Sequence, residues 1–486
     1  MFLCSIEDYA LYLSFVEFRT RNDQDGSEAG LQSGGQTEFD EDTGTESMTV
    51  NLPGMGIKKL TLNTTQIQEK AQAIRAIYEH ANAMRTSFAP FTKECVDALL
   101  PLVNFKYSPE VRTAAAQALG PVFDAACECA ISSKADIHYV NISYASILLS
   151  IVQQIQLEDD DDVETLSALA DTMSTICFSG YTHKCADKDE HVAILSFSEA
   201  KNFVGELVKV MAACMEKRSS MIQFLTGTNS VRLDDDQKAE YKSVLLEEAE
   251  ILTGVVDSIG YTLKSLKESF VPIFEEYICP VFGPLLTVTQ ATDERARLAA
   301  VCLFDDCVEH CGKDAAARYS PMLTEGILQG LDDSTNNGDI ELKGASVYGV
   351  AQIARHAPKS TLKNVIGSIT EKLLEIASSG NEETKEDYEI SRLIENASSA
   401  IAALTLFQNS PFSNVPGAQK RNFMSIFLQN LPIREDEDEA KVSRNSIFPF
   451  YIFLIKLKKI WHSIVTRAFV NLLSLVSWIY PHTHLY

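Results

Sequence analysis

The chain has 486 residues, 45% of them hydrophobic and 22% charged, which is enough to bury one or several cores. Lys and Arg number 42 against 67 Asp and Glu, so the formal net charge is −25. An acid excess of this size argues against a sequence-independent nucleic-acid binder, because such a protein needs a basic face. It suits a protein that binds basic partners, or simply one that stays soluble.

The cysteines and the first residues indicate the compartment. Eleven cysteines, an odd number without framework spacing, are typical of reduced thiols in the cytosol or nucleus. The start, MFLCSIEDYALYLSFVEF, is apolar but carries Glu7 and Asp8 and has no basic region, so it is a poor secretory signal. Before about residue 445 we expect no membrane-spanning stretch.

Residues 1–62 are predicted to form a partly disordered N-terminal segment. Within it, residues 20–50 are rich in Gly, Ser, Thr, Asp and Glu and lack apolar periodicity, which is typical of a linker. A short extended piece follows in TVNLPGMGIKKLTL, where Pro53 and Gly54 indicate a turn and allow a small hairpin.

From residue 63 to residue 443 the pattern is helical, with apolar residues at intervals of three and four. In SPEVRTAAAQALGPVF, Ser108 is a suitable N-cap and Pro109 fits the first helical position. Segments of the same layout recur at 160–177, 292–311, 338–357 and 385–407. They are roughly 45–55 residues apart, near the upper end for HEAT repeats, except for one longer gap between Cys177 and Thr292. A helix pair of this kind buries its apolar stripe only by stacking on its neighbours. We therefore predict an all-α, HEAT-repeat superhelical solenoid of about six to seven antiparallel helix pairs.

Residues 444–486 form a hydrophobic, basic tail that breaks this pattern. They contain no Asp or Glu and are dense in aromatic residues. Three interpretations remain open: a helix pair that caps the solenoid, a membrane anchor across 460–480, and an aberrant end such as translated intron or a shifted frame. His462 and Arg467 count against the anchor, and the abrupt change of composition favours the aberrant end.

Two groups of Cys and His residues resemble metal sites. The groups are Cys302, Cys307, His310 and Cys311, and His183, Cys185 and His191. A structural zinc needs four ligands in tetrahedral geometry; the first group has no second Cys/His pair at matching spacing, and the second group lacks a fourth ligand. We therefore predict buried cysteines in the first group, an exposed inter-helix loop in the second, and neither metal nor cofactor.

Catalytic motifs are missing from the sequence. It contains no GxxxxGK[ST], no GxGxxG after a strand, no GxSxG and no HExxH. Without these, and without strands to present a nucleophile, we do not expect an enzyme.

Two aspartate runs have two interpretations. Asp159, Asp160, Asp161 and Asp162 are contiguous, as are residues 234–236, whereas calcium loops space their ligands at alternate positions. One interpretation is a solvated loop whose carboxylates lie at a helix N-terminus. The other is a docking site for a basic segment of a partner.

At CLFDDCVEHCG (302–312) the sequence resembles an inner, or B, helix of the karyopherin-beta (importin-beta) family, of the importin beta-3 type. Further segments resemble successive stretches of that family in order. They are GIKKLTLNTTQIQEKAQA (56–73), SPEVRTAAAQALG (108–120), SLKESFVPIFEEYICPVF (265–282), ENASSAIAALTLF (395–407) and LPIREDEDEAKV (431–442). The resemblance covers about residues 36–443 and corresponds to the C-terminal half of the family's proteins.

The resemblance implies a nuclear transport receptor of the cytoplasm, nucleus and nuclear pore. It implies basic cargo of the ribosomal-protein or histone type, nucleoporin Phe-Gly repeats and Ran-GTP as partners, with the Ran-GTP site mostly missing from this half. Asp305, Asp306 and Glu309 are candidates for docking basic cargo on the concave face. We expect neither a nucleic-acid nor a membrane partner. The alternatives are a generic HEAT-repeat scaffold and, if the tail is an anchor, a membrane-tethered adaptor.

Overall fold

The computed structural model divides the chain into two compact units. The first combines Met1–Met211 with Asp234–Ser265, and the second combines Ala212–Leu233 with Leu266–Tyr486. The residues that the structure describes are 37–40, 45–52, 56–133, 137–159, 162–184, 191–226, 234–287, 293–332, 338–380 and 387–407, with single positions at 426, 430 and 433. The predicted tail at 444–486 lies outside them.

The first unit opens with a three-stranded antiparallel sheet. Its strands are β1 (Thr37–Asp40), β2 (Thr45–Leu52) and β3 (Gly56–Asn63), in the order β1-β2-β3. The long pair, β2 with β3, runs in register from Thr45 opposite Asn63 to Leu52 opposite Gly56. This pairing agrees with the hairpin that the sequence allows.

The position of β1 and β2 corrects the linker prediction for residues 20–50. β1 and most of β2 lie inside that segment. In TESMTVNL, apolar residues alternate with polar ones at Met48, Val50 and Leu52, which is the period of a strand. The surrounding acidic and glycine-rich composition masks this short alternation.

Helices fill the rest of the first unit. They are α1 (Thr64–Met84), α2 (Thr92–Leu99), α3 (Pro109–Ser133), α4 (Ile137–Leu157), α5 (Val163–Thr182), α6 (Phe197–Thr226) and α7 (Asp235–Leu266). From Ala212 onward α6 belongs to the second unit. Helix α3 packs between α1 and α5, while α2 and α4 pack as hairpin partners on α3 and α5.

The second unit repeats this arrangement. After α7 an irregular helical segment, residues 267–287, passes through 3-10, α and π turns. The regular helices that follow are α8 (Glu294–His310), α9 (Gly312–Gly330), α10 (Ile340–His356), α11 (Ile366–Ser378) and α12 (Tyr388–Phe407). Helix α10 packs between α8 and α12, and α9 and α11 are the hairpin partners of α10 and α12.

Each unit therefore contains a row of helices that pack directly on one another, α1-α3-α5 or α8-α10-α12, backed by their hairpin partners. We call these helices, and α7, which packs on α5, the inner helices. Within the described ranges, helix pairs taken along the sequence from α2/α3 to α11/α12 number six when the irregular segment 267–287 is counted as the partner of α8, with α1 before them. This agrees with the predicted number of six to seven pairs.

Aspartate caps mark the start of successive inner helices. The carboxylates of Asp162, Asp293 and Asp339 precede α5, α8 and α10, and accept backbone N–H groups of the first turn. The Asp339 Oδ1 to Leu342 N distance is 2.8 Å. Such caps satisfy backbone donors that the helix itself leaves without a partner. The acidic residue at the head of each predicted repeat thus has a structural role.

Two long inner helices end in the same unusual way. Arg85, after α1, and Lys267, after α7, have positive φ angles of 47° and 53°. Each begins a similar motif, RTSFAPF or KESFVPI, in which Phe88 or Phe270 is fully buried. A left-handed residue followed by a buried phenylalanine ends the helix and directs the chain into the next one. Left-handed backbone is costly for a residue with a Cβ.

We predict that Arg85→Gly and Lys267→Gly each raise the thermal unfolding midpoint by about 2 °C. Glycine adopts the left-handed conformation without the penalty of about 1 kcal/mol that residues with a Cβ carry. We expect this gain to outweigh the extra conformational entropy that glycine loses on folding. Scanning fluorimetry measures the midpoint. Arg85→Ala and Lys267→Ala are the controls, since they remove the same side chains and keep the Cβ; equal gains from alanine and glycine would contradict the explanation.

Candidate functional site

Four exposed carboxylates form the candidate site of the first unit, on helices α5 and α7. Glu164 and Asp171 are seven residues apart on α5, and Glu250 and Asp257 are seven residues apart on α7. Residues at this spacing lie on one face of a helix, two turns apart. We name these four residues the acidic ridge.

Close packing of α5 on α7 places the two halves of the acidic ridge side by side. A Cβ added at Gly254 would lie 2.8 Å from the carbonyl oxygen of Ala170, so the two backbones nearly touch there. One turn away, the Ser167 hydroxyl donates to Glu250 Oε2 at 2.9 Å. Contact positions increase together along both helices, which shows that α5 and α7 run in the same direction.

Aromatic rings continue this surface beyond the carboxylates. Phe178, 48% exposed, packs against Tyr261 with ring centroids 5.4 Å apart, and Tyr181 lies 5.8 Å from Tyr261. The ammonium of Lys264 lies 5.4 Å from the Tyr261 ring centroid. These rings already bind a cation face-on. Carboxylates beside aromatic rings suit Lys and Arg, which have a charged end and an apolar stem.

The acidic ridge was not among the sequence-predicted site residues. The contiguous acidic runs at residues 159–162 and 234–236 were the predicted candidates instead. The available signal was the spacing of seven residues that recurs on both helices, an ExxxxxxD pattern that keeps two carboxylates on one face. That α5 and α7 lie together is tertiary information, which spacing within either helix does not contain.

Burial removes Asp305 from the predicted docking set. It is 2% exposed, and its Oδ1 atom would lie 2.4 Å from a Cβ added at Gly349 of α10. Successive helical residues are turned by 100°, so Asp305 faces α10 while Asp306 faces outward. The carboxyl group is therefore part of the packing between α8 and α10.

Asp306 and Glu309 keep partial exposure on α8. The Tyr348 hydroxyl of α10 donates to Glu309 Oε2 at 2.7 Å. Glu309 thus links two inner helices and retains one oxygen for other contacts. Docking of a basic partner on these two residues remains a prediction.

The two aspartate runs lie at helix starts, as one interpretation expects. Asp159 is exposed in the loop after α4, and Asp162 caps α5; Asp160 and Asp161 lie outside the described residues. Asp234 caps α7 reciprocally: Gln237 N donates to Asp234 Oδ1 at 2.8 Å, and Asp234 N donates to the Gln237 side chain. Docking on the first run stays a prediction.

The cysteine group on α8 is buried. Cys307 and Cys311 are 0% and 2% exposed, while Cys302 is half-buried. Its contact with Cys311, followed by burial, raises the pKa of the Cys307 thiol. Neutral thiols in this setting pack as small apolar groups, as predicted. Across the part of the chain that the structure describes, no three His, Cys, Asp or Glu side chains are placed to hold a metal.

The second Cys and His group lies after α5. The Nδ1 atoms of His183 and His191 are 2.8 Å from the carbonyl oxygens of Ser179 and Tyr181, and Cys185 lies outside the described residues. Both rings are half-buried, so the predicted exposed loop is only partly exposed. Their backbone contacts give these histidines a structural role.

Two stretches have the length and composition of a membrane-spanning helix, contrary to the expectation of none before residue 445. They are His138–Leu157 and Asp235–Thr287. In the first, Ile147, Leu148 and Ile151 are fully buried against neighbouring helices. The core helix of a globular protein has the same apolar composition, and packing explains it here.

Comparison with solved structures identifies the fold. No family model matches the chain. The structure of Kap121p bound to Nup53p superimposes with a TM-score of 0.64 at 15% sequence identity, covering 95% of this chain and 36% of that chain. Kap121p bound to Ste12p gives 0.62 at 15% identity, covering 90% and 35%. Kap121p bound to RanGTP gives 0.59 at 16% identity, covering 84% and 33%.

This chain thus spans about a third of the length of the karyopherin structures that it matches. At this level of identity the likeness concerns the fold. The all-helical, HEAT-repeat solenoid predicted from the sequence is confirmed, with the small N-terminal sheet as an addition. The chain has the fold of part of the karyopherin Kap121p.

We predict that Asp305→Asn raises the thermal midpoint at pH 8 and has little effect near pH 4. Burial raises the pKa of the Asp305 carboxyl well above its usual range, and Asp306 and Glu309 raise it further. The folded chain therefore binds this proton more tightly than the unfolded chain. The stability that the folded chain gains from this tighter proton binding is complete below about pH 3.9. It is lost as the pH rises towards the folded pKa of Asp305.

Asparagine has the same shape and no charge, so the gain in thermal midpoint should grow steadily between pH 4 and pH 8. Scanning fluorimetry at four pH values measures it. Asp306→Asn, on the outward face, is the control and should change the midpoint little. A gain from Asp305→Asn that is equal at all pH values would contradict the assignment.

Proposed function

We propose that this chain is a nuclear transport receptor, or part of one, and acts by binding proteins and not by catalysis. The support is its fold, shared with the karyopherin Kap121p, and its net charge of −25. We propose basic cargo of the ribosomal-protein or histone type. An acidic repeat surface attracts Lys- and Arg-rich segments and selects against acidic ones.

The observation that carries this proposal is the acidic ridge. Its four carboxylates are exposed on two helices that touch at Ala170 and Gly254, so an extended basic segment can meet all of them. The exposed Phe178 ring next to them offers apolar surface for the stems of the same side chains. Asp306, Glu309 and residues 159–162 are further candidate contacts.

Nucleoporins and Ran-GTP are the other proposed partners. Structures of Kap121p exist with Nup53p and with RanGTP, and this chain shares the fold of part of Kap121p. We propose that it moves between cytoplasm and nucleus through the nuclear pore. Since it spans about a third of those neighbours, we propose that it holds only a part of the Ran-GTP contact.

Neutralising the acidic ridge is the direct test. We expect Glu164→Gln, Asp171→Asn, Glu250→Gln and Asp257→Asn together to weaken binding of a fluorescent Lys/Arg-rich peptide at least tenfold. Four lost charge pairs, each about 0.5 kcal/mol at an exposed site, give this magnitude. Fluorescence anisotropy at low and moderate salt measures the affinity, and the salt dependence should decrease with the charges.

A matched control separates this site from net charge alone. Glu216, Asp314, Glu325 and Glu371 are exposed acids of the second unit, and their amide variants change the total charge equally. We expect less than a twofold loss from them. Equal losses in both quadruple variants would contradict a localised site, and no binding of basic peptides by the unmodified chain would favour the generic scaffold.

A further inference from the structure

Two buried side chains, one on α8 and one on α10, carry polar atoms without a hydrogen-bonding partner. Asp305 of α8 is 2% exposed and Gln352 of α10 is 0% exposed. Among the described residues, neither Asp305 Oδ1 nor either amide atom of Gln352 has a hydrogen-bond partner. Buried polar groups are normally paired, since each unpaired one is costly.

Both side chains lie on facing sides of the two helices. The carboxyl group of Asp305 lies against Gly349, where a Cβ would be 2.4 Å from Oδ1 and 3.1 Å from Cγ. Gly349 and Gln352 are three residues apart on α10, so both are on its α8-facing side, about 4.5 Å apart along the axis. Slightly less than one helical turn of α10 therefore separates Gly349, where the carboxyl group lies, from Gln352, whose side-chain amide can bind it.

We propose that the α8–α10 contact is a joint with two positions for the Asp305 carboxyl group. In the observed position it lies against Gly349 and both polar groups are unpaired. In the second position α8 shifts along α10, and the Gln352 amide N–H donates to the Asp305 carboxyl oxygen. The cost of the unpaired groups brings the two packings close in free energy, which a joint requires.

The absence of a side chain at residue 349 makes the first position available. Any larger residue there would occupy the space of the carboxyl oxygen and also meet Ile327 Cδ1 of α9, 2.8 Å from the added Cβ. A second glycine of the same helix, Gly344, has nothing within 4 Å of an added Cβ. Helix α10 thus contains one glycine, Gly349, that close packing requires, and one, Gly344, at which an added Cβ would meet no neighbour.

The test is Gly349→Ala in two backgrounds, measured as the thermal midpoint of the full chain. In the unmodified background the carboxyl group moves to Gln352, and we expect a loss of less than about 2 °C. With Gln352→Leu the second position is lost, and the same substitution should lower the midpoint by more than about 5 °C. Gly344→Ala is the control and should lower it in neither background.

Equal losses from Gly349→Ala in both backgrounds would overturn the joint. If the double variant does not fold, the side-chain amide signals of Gln352 give a second measurement by nuclear magnetic resonance, assigned by their loss in Gln352→Leu. We expect Asp305→Leu to shift these signals and to speed their exchange with water at least threefold. Unchanged signals and exchange would show that the carboxyl group never reaches the amide.

Discussion

Close approach between neighbouring inner helices is the constraint on which the rest of the structure depends. At Ala170 and Gly254 two backbones nearly touch, and at Gly349 the carboxyl group of Asp305 fills the space that a side chain would occupy. Small residues permit this distance, and larger ones would separate the helices. Since a helix pair cannot bury its own apolar stripe, each row is stable only through these contacts. The Ala-rich helices of the sequence are therefore a requirement of stacking.

Charged groups fix how the closely packed helices align. Arg218 and Asp293, only 5% and 6% exposed, form a two-pronged ion pair at 2.6 Å, and Asp293 also caps α8. In the first unit, Arg112 of α3 pairs in the same way with Glu158, just after α4. Removing one partner of such a pair leaves a buried charge, which is strongly destabilising. Small residues thus set the spacing, and paired charges set the alignment.

The sequence predicts the helical repeats well because periodicity, caps and turn residues are local. It predicts the site less well because the site depends on which helices touch. Asp305 shows the difference: its neighbours in sequence suggest an exposed acidic group, while its contact with Gly349, 44 positions away, buries it. The acidic ridge is the reverse case, since two ordinary pairs of acids become one surface only when α5 packs on α7. In the N-terminal sheet the sequence allows the hairpin of β2 and β3, but β1 and most of β2 lie in the segment predicted as a linker, because their strand pattern is too short to stand out from its acidic surroundings.

Repulsion among the four carboxylates of the acidic ridge costs stability, and the packing of α5 on α7 does not explain why they are there. These four carboxylates are exposed, contribute nothing to the core and repel one another on adjoining helices, in a chain that already carries −25. Helix propensity alone would be satisfied by Gln or Lys at the same positions. A basic segment bound across α5 and α7 removes the repulsion and gains from every charge at once. Binding such a partner and stabilising the first unit are then the same event, because a ligand that binds only the folded state stabilises that state.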